Sequence, residues 1–273
     1  MKTKVIAVLM TLAVLTGAFA GGGSQSASSG PAPYTIEVGG STSVAPLMEN
    51  FIEEYRDAHP HIRVNMSPTG SGDGINNTGV TYQIGMSSRE LTPAELGRGL
   101  RDEVIAIDGI AVIVHSDNPV ADLTIEQIRG IFTGEITDWS QVGGARGSIA
   151  VNSREEGSGT RGAFEEIVGF QGRLVAGANE STSTGAIIAG IAQNPNAIGY
   201  ISLGSVNDTI KALNVGGVAP TIPNVTIGAY SISRPFIVLT GANVHAESTA
   251  FVNWILSAQG QAIVASRGYI RVR

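Results

Sequence analysis

The sequence has no cysteine, only three lysines (Lys2, Lys4 and Lys211), 5% aromatic residues and a charged fraction of 15%. Without cysteine there are no disulfides, no thiolate metal site and no thiol nucleophile, so stability must come from packing. With so few lysines, and arginines scattered along the chain, there is no basic footprint for nucleic acid. The low charge density also excludes a disordered acidic tail. What is present is 42% hydrophobic residues in a chain of 273, enough for a sizeable core, with 17 Lys+Arg against 23 Asp+Glu and a net charge of −6.

The N-terminus reads as an export signal. Lys2 and Lys4 form a positive start, Val5 to Leu15 is an apolar run, and Ala18-Phe19-Ala20 has the small-x-small pattern of a cleavage site. The run is too short to span a bilayer, which takes about 20 residues. Cleavage after Ala20 removes two lysines and leaves 15 basic against 23 acidic residues, a net charge of −8. Leu15-Thr16-Gly17 also approaches a lipoprotein signal, but the lipid-bearing cysteine is replaced by Ala18, so a periplasmic, cell-surface or extracellular protein without a lipid anchor is expected. Residues 21–33 (GGGSQSASSGPAP) have the composition of a flexible spacer.

From Tyr34 onward, short strand-like runs alternate with amphipathic helices. Thr35–Val38 reads as a strand, and Val44, Leu47, Met48, Phe51, Ile52 and Tyr55 fall on one helical face. Further strands are expected at 62–65, 104–114, 149–152, 225–230 and 235–240. Helices are expected from Thr92, from Thr124, over 162–168 and 185–193, and around Phe251 to Leu256; Thr92-Pro93-Ala94-Glu95 and Thr124-Ile125-Glu126-Gln127 are capping boxes. This alternation implies an α/β fold with mainly parallel sheets. Some 240 residues are generous for one doubly wound sheet. Two lobes are expected, 34–108 plus 232–273 and 110–228, joined by two crossovers, with a ligand cleft between them.

Four loops carry the candidate chemistry: Gly39-Gly40-Ser41-Thr42-Ser43, Gly70-Ser71-Gly72-Asp73-Gly74, Ser87-Ser88-Arg89, and Arg154-Glu155-Glu156-Gly157-Ser158-Gly159-Thr160-Arg161. At least three lie at strand-to-helix turns. Such turns present unpaired N–H groups and the positive end of a helix dipole, glycines allow close approach, and hydroxyls add donors. Any one loop is ordinary turn or cap chemistry. Four of them with Arg154 form a donor set suited to a tetrahedral oxyanion.

Enzyme signatures are weak or absent. No serine sits in Gly-x-Ser-x-Gly, and Lys211 lacks the preceding glycine of a phosphate-binding Walker loop. Gly157 to Gly162 matches G-x-G-x-x-G, but three charged residues separate the strand from the glycines. His59, His61, His115 and His245 have no metal spacing, and His59 is placed to cap a helix. Trp139 and Trp254 read as core. No enzyme, metal or cofactor is expected.

The segments VGGSTSVAPLMENFIEEY (38–55), IGMSSREL (84–91), AIDGIAVIVHSDNPV (106–120), LTIEQIRGIFTGEITDWSQVGG (123–144), SREEGSGTRGAF (153–164) and IGYISLG (198–204) resemble, in order and over nearly the whole mature chain, the short form of the phosphate-binding proteins of phosphate ABC importers. The resemblance implies a two-lobed binding-protein fold that closes over inorganic phosphate and delivers it to a membrane permease, working as a monomer. Carried over by position, Thr42, Ser43, Ser71, Arg154, Ser158, Gly159 and Thr160 hold the anion. Longer members have an aspartate, the acceptor of the ligand's proton, where this chain has Ser88. The resemblance leaves Asp73 to take that part and Glu156 to orient Arg154. Alternatives of a different class are a secreted phosphate sensor, a binding protein for sulfate or molybdate, and a phosphatase.

Overall fold

The protein is described by a computed structural model covering residues 31–272. The export signal expected over 1–20 and nearly all of the spacer lie outside the described residues. Strand β1 (Tyr34–Gly40) buries Ile36 and Val38 and runs into α1 (Ala45–Ala58), which carries Pro46 in its first turn and buries Leu47, Met48, Phe51 and Tyr55, four of the positions on the expected face. Next come β2 (Ile62–Pro68), α2 (Ser71–Asn77), β3 (Ile84–Ser87) and α3 (Pro93–Leu96), the last opened by the Thr92/Glu95 capping box. The long apolar run is β4 (Arg101–His115). It leads to β5 (Asp122–Leu123) and to α4 (Ile125–Thr133), which starts at the Thr124/Gln127 capping box.

The second half continues with β6 (Ala150–Arg154), α5 (Gly159–Val168), β7 (Asn179–Ser181), α6 (Thr184–Gln193) and β8 (Ala197–Ser202). It closes with β9 (Ile210–Ala212), β10 (Asn214–Val215), α7 (Ile222–Thr226), β11 (Ser233–Thr240), α8 (Ala246–Ile255) and α9 (Ala258–Ser266). The strand expected at 225–230 is instead the end of α7 and a turn. Thr221 accepts the N–H of Asn224 and Pro223 occupies the first turn, and this local capping outweighs the β-branched composition. The loop 70–74 is the start of α2. Gly72 and Gly74 are poor helix formers, but a Cβ on Gly74 would stand 2.7 Å from both the Gly40 Cα and the Met86 carbonyl oxygen, so only glycine lets α2 lie on β1 and β3.

Among the described residues the main sheet has the order β2-β1-β3-β11-β4-β8-β6-β7, with β9 also pairing β4. The β2-β1-β3 and β8-β6-β7 pairings are parallel, as expected. The middle is antiparallel, because β4 carries the chain out of the first lobe and β11 brings it back alongside, paired from Ser233↔Gly109 to Thr240↔Arg101 with a one-residue register shift between Phe236 and Ile237. Beyond Gly109, β4 leaves β11 and pairs with β8.

Two large cores flank this junction. One gathers Ile36, Phe51, Met86, Ile105, Phe236 and Phe251, and the other Ile110, Phe132, Trp139, Phe164, Tyr200 and Ile232. The fold is therefore a two-lobed α/β architecture with two crossovers. The second core takes in Ile232, a residue expected in the first lobe. Trp139 is core as expected, with its indole N–H on the Asn196 carbonyl at 3.0 Å.

Candidate functional site

Four helix starts point at one another where the lobes meet. At the head of α1, Ser41 Oγ accepts the N–H groups of Ser43 (3.2 Å) and Val44 (3.3 Å) and donates to Ser88 Oγ at 2.9 Å. Ser88 lies just past β3, and its N–H donates to Ser71 Oγ at the start of α2 (3.1 Å), with the two hydroxyls 3.3 Å apart. Across the interface, Ser43 Oγ lies 2.8 Å from Thr160 Oγ1 on α5 and 3.1 Å from Thr184 Oγ1 on α6, and Thr42 Oγ1 lies 3.4 Å from Thr184. The Gly72 N–H donates to the Gly157 carbonyl at 2.9 Å. Ser41, Thr42, Ser43, Ser71, Ser88, Ser158, Thr160 and Thr184 are all buried. Buried hydroxyls need partners; Ser41, Ser71 and Ser88 find them in one another, Ser158 in its own helix, and Thr42, Ser43, Thr160 and Thr184 across the interface.

Arg154 ends β6 with its side chain 2% exposed. Its main chain is fixed by the Tyr200 hydroxyl, which accepts the Arg154 N–H at 3.3 Å, and by Arg161 Nη1, which donates to the Arg154 carbonyl at 2.9 Å. Nε donates to Glu155 Oε2 (2.9 Å) and to the Ser181 carbonyl (3.2 Å); Nη2 donates to Glu155 Oε1 (2.8 Å) and to the Thr182 carbonyl (3.4 Å). One edge of the guanidinium is thus held, while Nη1 makes no hydrogen bond among the described residues. A charged donor fixed in this way leaves the N–H groups of Nη1 to donate to an oxyanion.

Glu155 holds Arg154, where Glu156 was expected. The Glu155 N–H still pairs with the Ser181 carbonyl, keeping its carboxylate beside the guanidinium, while the next residue turns out to solvent. Ser158 Oγ is the N-cap of α5, accepting the Arg161 N–H at 3.3 Å. That leaves the N–H groups of Gly159 and Thr160 among the orphan donors of the first helical turn.

Asp73 does not join the cluster. Its carboxylate accepts from Thr69 Oγ1 (2.5 Å), Asn77 Nδ2 (2.7 Å) and the Tyr82 hydroxyl (2.9 Å), all within its own lobe, and the hydrogen bond from Thr69 is foremost in holding its pKa below the usual carboxylate range. Two residues on from Ser71 in a helix, it points about 200° away from it.

Thr184 and Arg234 are the residues that sequence reasoning missed, and Ser41 lay in a candidate loop without a role of its own. Thr184 follows the hydroxyl-rich run Ser181-Thr182-Ser183 at a helix start, a signal like those of the other loops. Arg234 carries no such signal. It stands opposite Asp108 in the β4–β11 register, each side chain 1% exposed, with Nε and Nη2 on Asp108 Oδ2 at 3.3 and 3.1 Å and Nη1 on the Ser88 carbonyl at 3.2 Å. Ser202 Oγ donates to Asp108 Oδ1 at 2.9 Å. Burial pushes the Asp108 carboxyl up to about 6 against the opposing pull of Arg234 and Ser202.

Among the described residues no group of three or more His, Asp or Glu side chains could hold a metal ion. His59 Nδ1 sits 3.1 Å from the Tyr55 carbonyl at the end of α1, a capping position.

A family model for the PBP superfamily domain matches residues 25–259. The chain belongs to the PBP superfamily. A structure described as a putative phosphate ABC transporter substrate-binding protein with bound phosphate, from Clostridium perfringens, is 43% identical to this PBP-superfamily chain, covering 88% of it and 100% of that chain with a TM-score of 0.86. An ABC-type phosphate transport receptor from Vibrio cholerae is 35% identical, covering 87% of this chain and 100% of that one with a TM-score of 0.73. The phosphate-binding protein PstS of Borreliella burgdorferi is 28% identical over 253 residues, which span 87% of this chain and 90% of that protein.

Proposed function

We propose that this PBP-superfamily protein binds inorganic phosphate outside the cytoplasm and delivers it to the membrane permease of an ABC importer, its two lobes closing over the anion. The observation that carries this reading is the meeting of buried hydroxyls from both lobes, Ser43 on Thr160 and Thr184 in particular, beside the half-held guanidinium of Arg154. The names of the Clostridium perfringens, Vibrio cholerae and Borreliella burgdorferi relatives support it. Thr42, Ser43, Ser71, Ser88, Arg154, Gly159 and Thr160, joined by Ser41 and Thr184, form the anion site, and Ser158 serves it as the cap of α5. The lobes are residues 34–108 with 233–272, and 110–232, which follows the membership of the two cores.

The mature charge of −8 repels an anion, though salt screens this beyond about 8 to 10 Å. Capture therefore depends on local donors. Hydrogen bonds to a charged ligand contribute about 1.5 to 3 kcal/mol each, and ordering and closure consume much of their sum. A Kd near 1 μM requires only about −8 kcal/mol net. The protein acts as a stoichiometric monomeric binder with no turnover. Calorimetry on the chain from residue 21 should give one phosphate site per monomer with arsenate competing, and sulfate and molybdate binding more weakly. Tight molybdate or sulfate binding without phosphate binding would overturn the assignment, and hydrolysis of a chromogenic phosphate ester would replace it with an enzyme.

A further inference from the structure

From the junction of the two crossovers we infer that Arg234 is a positioning residue for the anion site, pinning the Ser88 carbonyl from the hinge so that Ser88 can present its hydroxyl and N–H in the closed form. The inference rests on the reading of the cluster as a phosphate site.

Three observations lead to it. Arg234 sits on the return crossover and Asp108 on the outgoing one, and their side chains bridge the two strands at the point where β4 changes partner from β11 to β8. Asp108 is also bound by Ser202 at the end of β8, so the ion pair contacts the second lobe as well. The remaining guanidinium edge reaches the Ser88 carbonyl, and Ser88 is the residue to which both Ser41 and Ser71 are bonded. A rotation of the lobes about these strands moves the ion pair, and with it the one loop linking the first two hydroxyl-bearing helix starts.

A buried ion pair is weak evidence for stability, since an apolar pair of similar volume often does as well. Its retention here has a geometric use instead. Asp108 fixes two nitrogens of the fork, and the third is thereby aimed at a backbone carbonyl, which a flexible lysine or an apolar side chain cannot reproduce. That bond fixes the peptide plane that follows Ser88, and through the Ser88 Cα it limits how far the hydroxyl, and the N–H in the preceding peptide, can turn away from Ser41 and Ser71.

The test separates positioning from folding. R234M leaves Asp108 unpaired and lowers stability, whereas the double variant R234M/D108L replaces the pair with apolar side chains and should regain most of the lost Tm. Both should bind inorganic phosphate at least tenfold more weakly than the wild type by calorimetry, and both should show at least tenfold faster hydrogen exchange at the Ser88 amide. A folded double variant that binds phosphate within threefold of wild type and keeps the Ser88 amide protected would overturn the inference. If the wild type itself bound no phosphate, the reading of the site would fail, and the exchange rate of the Ser88 amide would still decide whether Arg234 pins it.

Discussion

Gly159, the first residue of α5, faces Ser71, the first residue of α2, so closely that a Cβ on Gly159 would collide with Ser71 Oγ and stand 2.9 Å from Ser88 Oγ. On the proposed lobe assignment the two residues belong to different lobes, and opening of the lobes would part them. Neither hydroxyl can simply swing away, because the Ser88 N–H holds Ser71 and Ser41 holds Ser88. Gly159→Ala should therefore weaken phosphate binding at least tenfold. Its ligand-free Tm should be unchanged or slightly raised, since alanine suits a helix better by up to about 1 kcal/mol. Calorimetry and a thermal melt on the same sample check both, and unchanged affinity would mean that closure does not bring Gly159 and Ser71 together.

The loops that contain Thr42, Ser43, Ser71, Gly159 and Thr160 were legible as helix-start turns because capping and turn chemistry is local, and the resemblance singled out the residues within them. A strand followed by Gly, Ser and Thr before an apolar helical face signals exposed donors wherever the chain then goes. Thr184 carried the same kind of signal, and only the fold shows that α6 brings it within 3.1 Å of Ser43. Arg234 lies 146 residues from Ser88 and meets it through a strand register that no local pattern encodes. Asp73 failed for a local reason, since reading 70–74 as a loop left its direction open, and α2 turns it toward Tyr82. The choice between Glu155 and Glu156 turned on one residue of extra pairing beyond β6.

In the proposed site Arg154 is the charged donor, and Glu155 holds its guanidinium through Nε and Nη2. Truncating one member of a buried, hydrogen-bonded charge pair at a binding site costs about 2 to 5 kcal/mol. Arg154→Met should accordingly lower phosphate affinity by at least 30-fold. Glu155→Gln keeps the guanidinium but loosens its edge and should cost roughly tenfold, on the scale of about 1.4 kcal/mol, while Glu156→Gln should bind as the wild type does. Titration of the three variants side by side separates the two carboxylates, and an effect at Glu156 in place of Glu155 would reverse the assignment.

Asp73 accepts three hydrogen bonds inside the first lobe, which makes it a fastener of α2 to the loop at Tyr82. Asp73→Asn should lower stability by about 1 to 3 kcal/mol, the range for leaving such partners poorly satisfied. The ratio of phosphate to sulfate affinity should stay as in the wild type. Because its pKa is depressed in the fold, its contribution is present above the ordinary carboxylate range and is lost as the pH falls through the lowered value. A changed phosphate-to-sulfate ratio in competition calorimetry would return Asp73 to the site.

Asp108 behaves in the opposite sense. In the unfolded chain its carboxyl titrates at the ordinary value of 3.8, and in the fold burial raises it to about 6. Between these values the native state keeps a proton that the unfolded state has lost, so this group makes the protein less stable as the pH rises from about 4 to about 6, with no further change above. Asp108→Asn cannot titrate, and all other groups are common to both proteins. Urea unfolding of wild type and variant at pH 4.5 and pH 7 should therefore show the wild type losing stability relative to Asp108→Asn as the pH rises. Parallel pH profiles would mean that Arg234 and Ser202 hold the carboxylate ionised through the whole range, with attraction at 3.1 Å outweighing burial.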